Sequence, residues 1–392
     1  MQYNKNFYKI LHQYDYKLPS SQIALSPAKP RDSAQLLICN RQNNKLQTDT
    51  FANLTKYLPY KSVIVFNQTK VIPARLELTK PTGGKVRILF LEKGNGVIKV
   101  LADRKLEVGT ELFIGTTIKP SLRGARQSGR RGNLSFTVHA HAEKCYTLKP
   151  LFPLSKINSI LQTYGQTPIP PYLKHTKLSE IALRKNYQTI FARTLGSVAA
   201  PTASLHFTKN LLTKLKNAGH QIEFVTLHVN LGTFAPLTKE HMQTGQLHHE
   251  TYFIDKNTAR RLNQAKYEGR QIVAVGTTVV RTLESASHYN VNPEPSRGAS
   301  RIFVGCHSRA GGNPQQSLVK LTQLTGSTNL FIQPGYKFKF VDNLITNFHV
   351  PKSSLMMLVA AFYGREKLLK TYQGAIKKRF RFFSFGDGML IN

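Results

Sequence analysis

The chain has no tryptophan, three cysteines and 20 acidic residues among 392. Each shortage excludes something. Cys39, Cys145 and Cys306 lie far apart and form no C-x-x-C pair, so neither a disulfide framework nor a zinc site is expected. No apolar run approaches the ~20 residues of a membrane-crossing helix. The longest, "LMMLVAAFY", covers 355–363. The opening "MQYNKNFYKILHQYDYKL" lacks an apolar stretch followed by a small-residue cleavage site, which argues against secretion and for a cytoplasmic protein. No G-x-G-x-x-G follows a strand-like run, and no G-x-S-x-G elbow occurs. A Rossmann methyltransferase or dehydrogenase and a serine hydrolase of the elbow type are therefore unsupported.

Positive charge is what the chain has in excess. Lys and Arg number 55 against the 20 acids, a net charge of +35. Compositional drift in a lysine-favouring organism explains part of this. An excess of this size still points to a polyanionic partner, nucleic acid before an acidic membrane surface. Hydrophobic residues make up 41%, enough for a sizeable core, and the length suits two or three domains.

The texture changes along the chain. "SVIVFN", 62–67, is a short apolar run of the buried-strand type. From about Ile72 to Thr147 come short alternating strands, "KVRILFLE", "GVIKVLA", "TELFIG" and "LSFTVHA". Turn formers such as Gly83-Gly84 and Gly94-Asn95-Gly96 separate them, as in a small barrel or sandwich. Gly83-Gly84 has no helix after it and reads as a hairpin turn rather than a phosphate loop. "TPIPPYL", 167–173, marks the exit. Beyond it, helix patterns ending in glycine alternate with strands: "TKNLLTKLKNAG" then "QIEFVTLHV", "KNTARRLNQAKYEG" then "QIVAVG". This predicts a layered α/β domain formed by 1–71 and 172–392, with a β-barrel domain of 72–171 inserted. The stretches 116–133 and 296–317 lack periodicity and read as long surface loops, more simply neutral insertions than RNA-binding arms.

Several polar groups sit beside strands. "GSVAAPTASLHFT", 196–208, has small residues that let backbone approach closely; it carries Thr202 and Ser204 and ends near His206. "TLHVNLGTF" places His228 in a strand. "VAVGTTVVRTLESA" runs from a strand through Gly276, Thr277 and Thr278 into a helix bearing Arg281 and Glu284. Amides at that helix start can hold an anion; alternatively Thr278 is a plain N-cap and Arg281 and Glu284 a solvated pair. "LFIQPGYKFKFVDNLITNFHVPKSSLMML" puts Asp342, Asn347 and His349 around two strands. A lone histidine is usually packed in a core. His206, His228 and His349 all sit at element edges, and in such sheets sites form beyond the strand ends.

Taken in order, "YDYKLPSSQIALSPAKPRDSAQLLI", "VFNQTKVIPARL", "YQTIFARTLGSVAAPTASLHFT", "LHVNLGTF", "VGTTVVRTLESA", "LFIQPGYKF", "LITNFHVPKSSLMMLVAAFYG" and "RFFSFGDGMLI" resemble the S-adenosylmethionine:tRNA ribosyltransferase-isomerases of the queuosine pathway, nearly end to end. The resemblance implies an α/β domain with an inserted β-barrel. It also implies a reaction: the ribosyl part of S-adenosylmethionine moves onto 7-aminomethyl-7-deazaguanine at the wobble position of a tRNA and rearranges to the epoxycyclopentane of epoxyqueuosine, while adenine and methionine leave. S-adenosylmethionine would be a co-substrate, with no other cofactor and no metal. The partners would be a tRNA with a modified wobble base and no membrane, and the chain would act as a monomer.

That chemistry needs a general base for the acidic 5′ C–H beside the sulfonium and a general acid for departing adenine, tasks that suit histidine. His206, His349 and His228 are the expected catalytic residues. Arg281 is expected at the methionine carboxylate, and Asp342 or Glu284 at its ammonium or the ribose. Thr202, Ser204, Gly276, Thr277, Thr278 and Asn347 complete the expected binding set. This chain departs from the family pattern at Gln68 and Lys70 (usually Asp and Arg), at Arg87 and Lys185 (usually acidic), at Ser204 and Asn230 (usually Gly) and at Ala235 (usually Arg), and "GQLHHE" keeps only His248 and Glu250 of a longer signature. The alternative is a tRNA-binding protein of the same fold that has lost catalysis.

Overall fold

A computed structural model describes residues 2–115, 134–142, 145–230, 237–289 and 319–392. The stretches 116–133 and 296–317, together with Cys306 and Ala235, lie outside these. The chain divides into two compact units, one of residues 1–69, 189–194 and 201–392, the other of 70–188 and 195–200. The second unit thus runs past the prolines at 168–171 to take in the helix Glu180–Asn186.

The first unit is built on a nine-stranded sheet. Its order is Thr325–Leu330, Gln246–Phe253, Gln221–Leu227, Val63–Asn67, Ile272–Val275, Asn343–Asn347, Gly388–Ile391, Gln35–Cys39 and Leu46–Thr50. The four middle strands, from Gln221–Leu227 to Asn343–Asn347, are mutually parallel. Parallel strands covered on both faces read as unbroken apolar runs, which is why "VIVF" and "IVAV" carry no alternation. Ile64, Phe66, Val273, Val275 and Ile345 join one core cluster with Phe51, Phe207, Leu211 and Leu215. The alternate residues Val63, Val65 and Ala274 face the other side and are equally buried. The helices Lys209–Asn217 and Lys256–Tyr267 begin on the side-chain caps Thr208 and Asp255.

In the second unit, six antiparallel strands close into a barrel: Cys145–Pro150, Val97–Ala102, Lys85–Gly94, Arg75–Thr79, Glu111–Ile114 and Ser135–Ala142. Inward Val86, Ile88, Val100, Phe136 and Leu148 alternate with polar residues. Asn95 and Gly96 both have positive φ, 51° and 77°, and close the hairpin between two of these strands. Gly83 also has positive φ, 86°, in the turn between Thr79 and Lys85, which is the hairpin expected there.

Candidate active site

The parallel strands run the same way, so their C-terminal ends share one edge of the sheet. Asn67 ends one of them and ties three elements together. Its Nδ2 donates to the Leu227 carbonyl (3.0 Å) and to Thr278 Oγ1 (3.2 Å). Its Oδ1 accepts from the amides of Leu227 (3.2 Å) and Thr69 (3.0 Å). Thr69 in turn bonds His228 Nδ1 through its hydroxyl at 2.7 Å. His228 sits just past the end of its strand, half-buried, with its amide on the Thr251 carbonyl. Burial holds its imidazole below the ordinary histidine range.

Gly276 follows the next strand and is the N-cap of the helix Thr277–Ala286. Its φ of 95° and ψ of 152° lie in a region open only to glycine. The N-cap is therefore not Thr278, whose hydroxyl instead meets Asn67. No side chain caps this helix start, and a Cβ at Gly276 would stand in ordinary contact with that of Ala203, 3.7 Å away, so the backbone angles rather than crowding call for glycine here.

At the end of the fourth parallel strand, Asn347 accepts from Thr202 Oγ1 at 2.8 Å. Its Nδ2 lies 3.3 Å from His206 Nε2 and 3.3 Å from the Phe383 carbonyl. His206 does not line solvent. It is 4% exposed and stacks on Phe51 with ring centroids 4.1 Å apart. Burial, then Arg381 and Arg31, pushes its pKa down to about 3. His349 is buried as well. Its Nε2 meets Thr346 Oγ1 at 2.7 Å, its amide donates to Tyr372 Oη, and its carbonyl accepts from Tyr16 Oη. Burial pushes its pKa down to about 4.

The neutral His206 ring has a consequence for acid stability. The unfolded chain binds a proton near pH 6.5, whereas the folded ring binds one only near 3. Stability from this group is full above pH 6.5 and is lost as pH falls toward 3. Between those limits, one extra proton on the unfolded state is a slope of about 1.4 kcal/mol per pH unit. His206→Gln is expected to flatten the pH dependence of unfolding below pH 6.5 by about that slope. An unchanged pH profile would show that the ring is protonated normally in the fold.

Three expected binding residues do not join this edge. Asp342 precedes its strand, so it lies at the opposite edge, where it accepts from the Ile272 amide at 2.8 Å and pairs with Lys266 at 2.7 Å. Glu284 is seven residues into its helix, about 10 Å from the helix start at ~1.5 Å per residue. It is buried and accepts from the amides of Lys339, Phe340 and Val341 and from Tyr336 Oη. Arg281 is paired with buried Glu250 and donates to the Leu330 carbonyl. Neither is a solvated partner of the other. All three carry charges already committed to the fold. Asn67 and Thr69 enter the site instead. The sequence signal for them was a polar Asn ending an otherwise apolar strand.

A family model described as "Queuosine biosynthesis protein" matches residues 11–391. The chain belongs to this family. Among the family's curated members, the S-adenosylmethionine:tRNA ribosyltransferase-isomerase of Carboxydothermus hydrogenoformans is 40% identical over 384 residues, covering 97% of this chain and 99% of the relative. That of Aquifex aeolicus is 40% identical over 383 residues, with the same coverage. A crystal structure of S-adenosylmethionine tRNA ribosyltransferase from Thermotoga maritima is 31% identical with a TM-score of 0.49, covering 97% of this chain and all of the other.

The departures from the queuosine-family pattern fall in different settings. Arg87 stands opposite Glu77 on the barrel surface, 3.7 Å away. Lys185 lies in the last turn of its helix, where a cation suits the dipole. Gln68 reaches Thr226 Oγ1 at 3.4 Å. Asn230 is not among the described non-glycine residues with positive φ, so no left-handed backbone has to be accommodated there. Ser204 is different: it is fully buried and its hydroxyl has no hydrogen-bond partner among the described residues. An unpaired buried hydroxyl costs about 1–3 kcal/mol. Ser204→Ala is expected to raise stability by about 1 kcal/mol in calorimetry. A fall in the melting temperature would show that the hydroxyl has a partner after all.

Proposed function

We propose that the chain transfers the ribosyl part of S-adenosylmethionine to 7-aminomethyl-7-deazaguanine at the tRNA wobble position and isomerises it to epoxyqueuosine, releasing adenine and methionine. The observation that carries this reading is the 40% identity, over 97% of the chain, to relatives bearing the name of that activity. The edge formed by Asn67, Thr69, His228, Gly276 and Asn347 is the place for the chemistry, because sites in open α/β sheets lie beyond the C-terminal strand ends.

His228 is the general base in this reading. It is half-buried rather than enclosed, and its Nε2 carries no hydrogen bond among the described residues. It takes the proton from the 5′ carbon, and the electron pair stays on that carbon beside the positive sulfur. The uncapped helix start at Gly276–Thr278 is placed to receive the methionine carboxylate. Asn347 fixes Thr202 and His206 and so sets the wall of the site. His206 and His349 serve as neutral, packed rings. S-adenosylmethionine is then a co-substrate, and the groups of ≥ 3 His, Cys, Asp or Glu that a metal ion would need do not occur among the described residues. No helix of the described residues is long and apolar enough to cross a membrane. The protein works in the cytoplasm, as a monomer, on tRNA. The +35 charge supports the last point.

Adenine release from S-adenosylmethionine, with and without tRNA carrying the modified base, tests the reading. Release that depends on that tRNA is expected. Tight tRNA binding with no adenine release would leave a binding protein of this fold, which no observation favours. tRNA affinity is expected to fall steeply with salt, each phosphate contact adding ~0.7–0.9 to the log–log slope. A flat dependence would show that the charge does not contact the backbone.

A further inference from the structure

Five histidine–hydroxyl pairs occur among the described residues: Ser62–His220, Thr69–His228, Ser327–His249, Thr322–His288 and Thr346–His349. Their places in the fold separate them. His220 precedes its strand and so lies at the edge away from the site. His249 and His288 are in exposed contacts. His349 uses Nε2 for its bond and is enclosed. Thr69–His228 alone stands at the C-terminal edge, engages Nδ1, and leaves the ring partly open.

We infer that Thr69 is a positioning residue for the reaction: its hydroxyl holds His228 Nδ1 so that Nε2 is the nitrogen presented to substrate. The inference rests on the reading of His228 as general base. Three features carry it. The contact is short, 2.7 Å, and joins two residues 159 apart in sequence. Thr69 is itself fixed, because it is fully buried and its amide donates to Asn67 Oδ1. A β-branched side chain with a fixed backbone has little freedom in χ1, so the hydroxyl direction is set before substrate arrives. The same Asn67 grips both the amide and the carbonyl of Leu227, the residue before His228. One side chain thus places both partners of the pair.

In the tautomer this role requires, Nδ1–H donates to the hydroxyl oxygen and the lone pair stays on Nε2. When Nε2 takes a proton, the ring becomes a cation and its Nδ1–H···O bond strengthens. The contact therefore favours the protonated product of the base step as well as its geometry. Burial is the cause that lowers the His228 pKa, and no charged side chain of the described residues adds to it. Among the described residues, no carboxylate is a cause of the His228 shift and so none duplicates the hydroxyl.

The test is adenine release at saturating modified tRNA by Thr69→Val, Thr69→Ser, His228→Ala and the double variant Thr69→Val/His228→Ala. Thr69→Val keeps the shape and removes the hydroxyl. It is expected to lower kcat by about 10–100-fold, as misplaced catalytic groups do. KM for S-adenosylmethionine should stay within about threefold. The acidic limb of kcat/KM should move to lower pH, since loss of an acceptor for the cationic ring lowers its pKa. Thr69→Ser should keep kcat within about threefold of the native value. In the His228→Ala background, Thr69→Val should cause no further loss, because it acts through a ring that is gone. Should Thr69→Val melt below the assay temperature, Thr69→Ala is read in its place, with tRNA binding as the check on folding. Native kcat in Thr69→Val beside an inactive His228→Ala overturns the inference and leaves the base assignment standing. Equal losses with and without His228 overturn it too. Native turnover in His228→Ala overturns the base assignment itself, and the inference falls with it.

Discussion

Glu284→Ala is expected to lower stability by about 3–5 kcal/mol. The carboxylate accepts from three consecutive amides, of Lys339, Phe340 and Val341, at 2.9–3.0 Å, and from Tyr336 Oη at 3.1 Å. Phe340 and Val341 are buried, so their amides have no water to turn to once the carboxylate is gone. Each buried donor left unmatched costs about 1–3 kcal/mol, and bonds to a charged acceptor are the stronger ones. Removing the side chain also opens a small cavity against the 339–341 segment. Glu284→Gln keeps one acceptor oxygen but turns an NH₂ toward the amides, so about half of the loss is expected. Glu366→Ala, exposed in the first turn of its helix, is the control, with a change of about 0.5 kcal/mol or less. Urea unfolding of the three variants decides the matter. A Glu284→Ala midpoint no lower than that of Glu366→Ala would mean that the carboxylate is free in the fold and available to a ligand.

Much of the architecture was legible before the structure, and the reason is local. The apolar runs at 62–67 and 272–275 and the helix–glycine–strand repeats report buried parallel strands directly, since both faces of such strands must be apolar. The barrel showed itself through alternation and through Gly83 and Asn95-Gly96 at its hairpins. The far half of the large sheet was not legible. Gly388–Ile391 pairs in parallel with Gln35–Cys39 across more than 350 residues of sequence, and nothing near either strand announces the other. The polar strand "QLHHETYF" has one face turned to a buried pair, Glu250 with Arg281, and so carries none of the apolar signal of its neighbours.

The site shows the same division. Histidines at strand ends were readable, but their burial was not: the stacking of His206 on Phe51 depends on residues 155 positions apart. Charge alone does not distinguish a substrate ligand from a structural clamp. Strand direction does. Asp342 stands before a parallel strand and Asn347 at its end, so five residues at ~3.3 Å each separate the two edges by about 17 Å. A carboxylate at the first position is remote from chemistry at the second. Asn67 and Thr69 are hidden in the sequence for the opposite reason. A short polar stretch after an apolar run resembles a turn, and only the fold brings Leu227 and His228 against it.

His228→Ala is expected to reduce turnover by about 10²–10⁴-fold, the range for loss of a general base. Stability should fall by less than about 1.5 kcal/mol, because the ring is half-buried and makes one side-chain hydrogen bond, to Thr69. Binding of unmodified tRNA should persist, since phosphate contacts rather than this imidazole supply it. His206→Ala and His349→Ala are expected to show the reverse pattern. Both rings are buried and hydrogen-bonded, and His206 also stacks on Phe51, so each loss opens a cavity and strands a polar partner: Asn347 in one case, Thr346 in the other. A cost of about 2–4 kcal/mol follows for each. At a temperature where these two variants remain folded, their turnover should fall by less than about tenfold. A ring with a pKa near 3 or 4 is a poor proton acceptor at neutral pH, whereas His228 is only half-buried and keeps Nε2 free of hydrogen bonds among the described residues. Melting temperature, tRNA affinity and adenine release measured on all three variants separate the two patterns. If His206→Ala or His349→Ala loses turnover by 10²-fold or more with its melting temperature intact, the proton transfers belong to that enclosed ring, and the neutral state of the buried histidine is itself the working state of the catalyst.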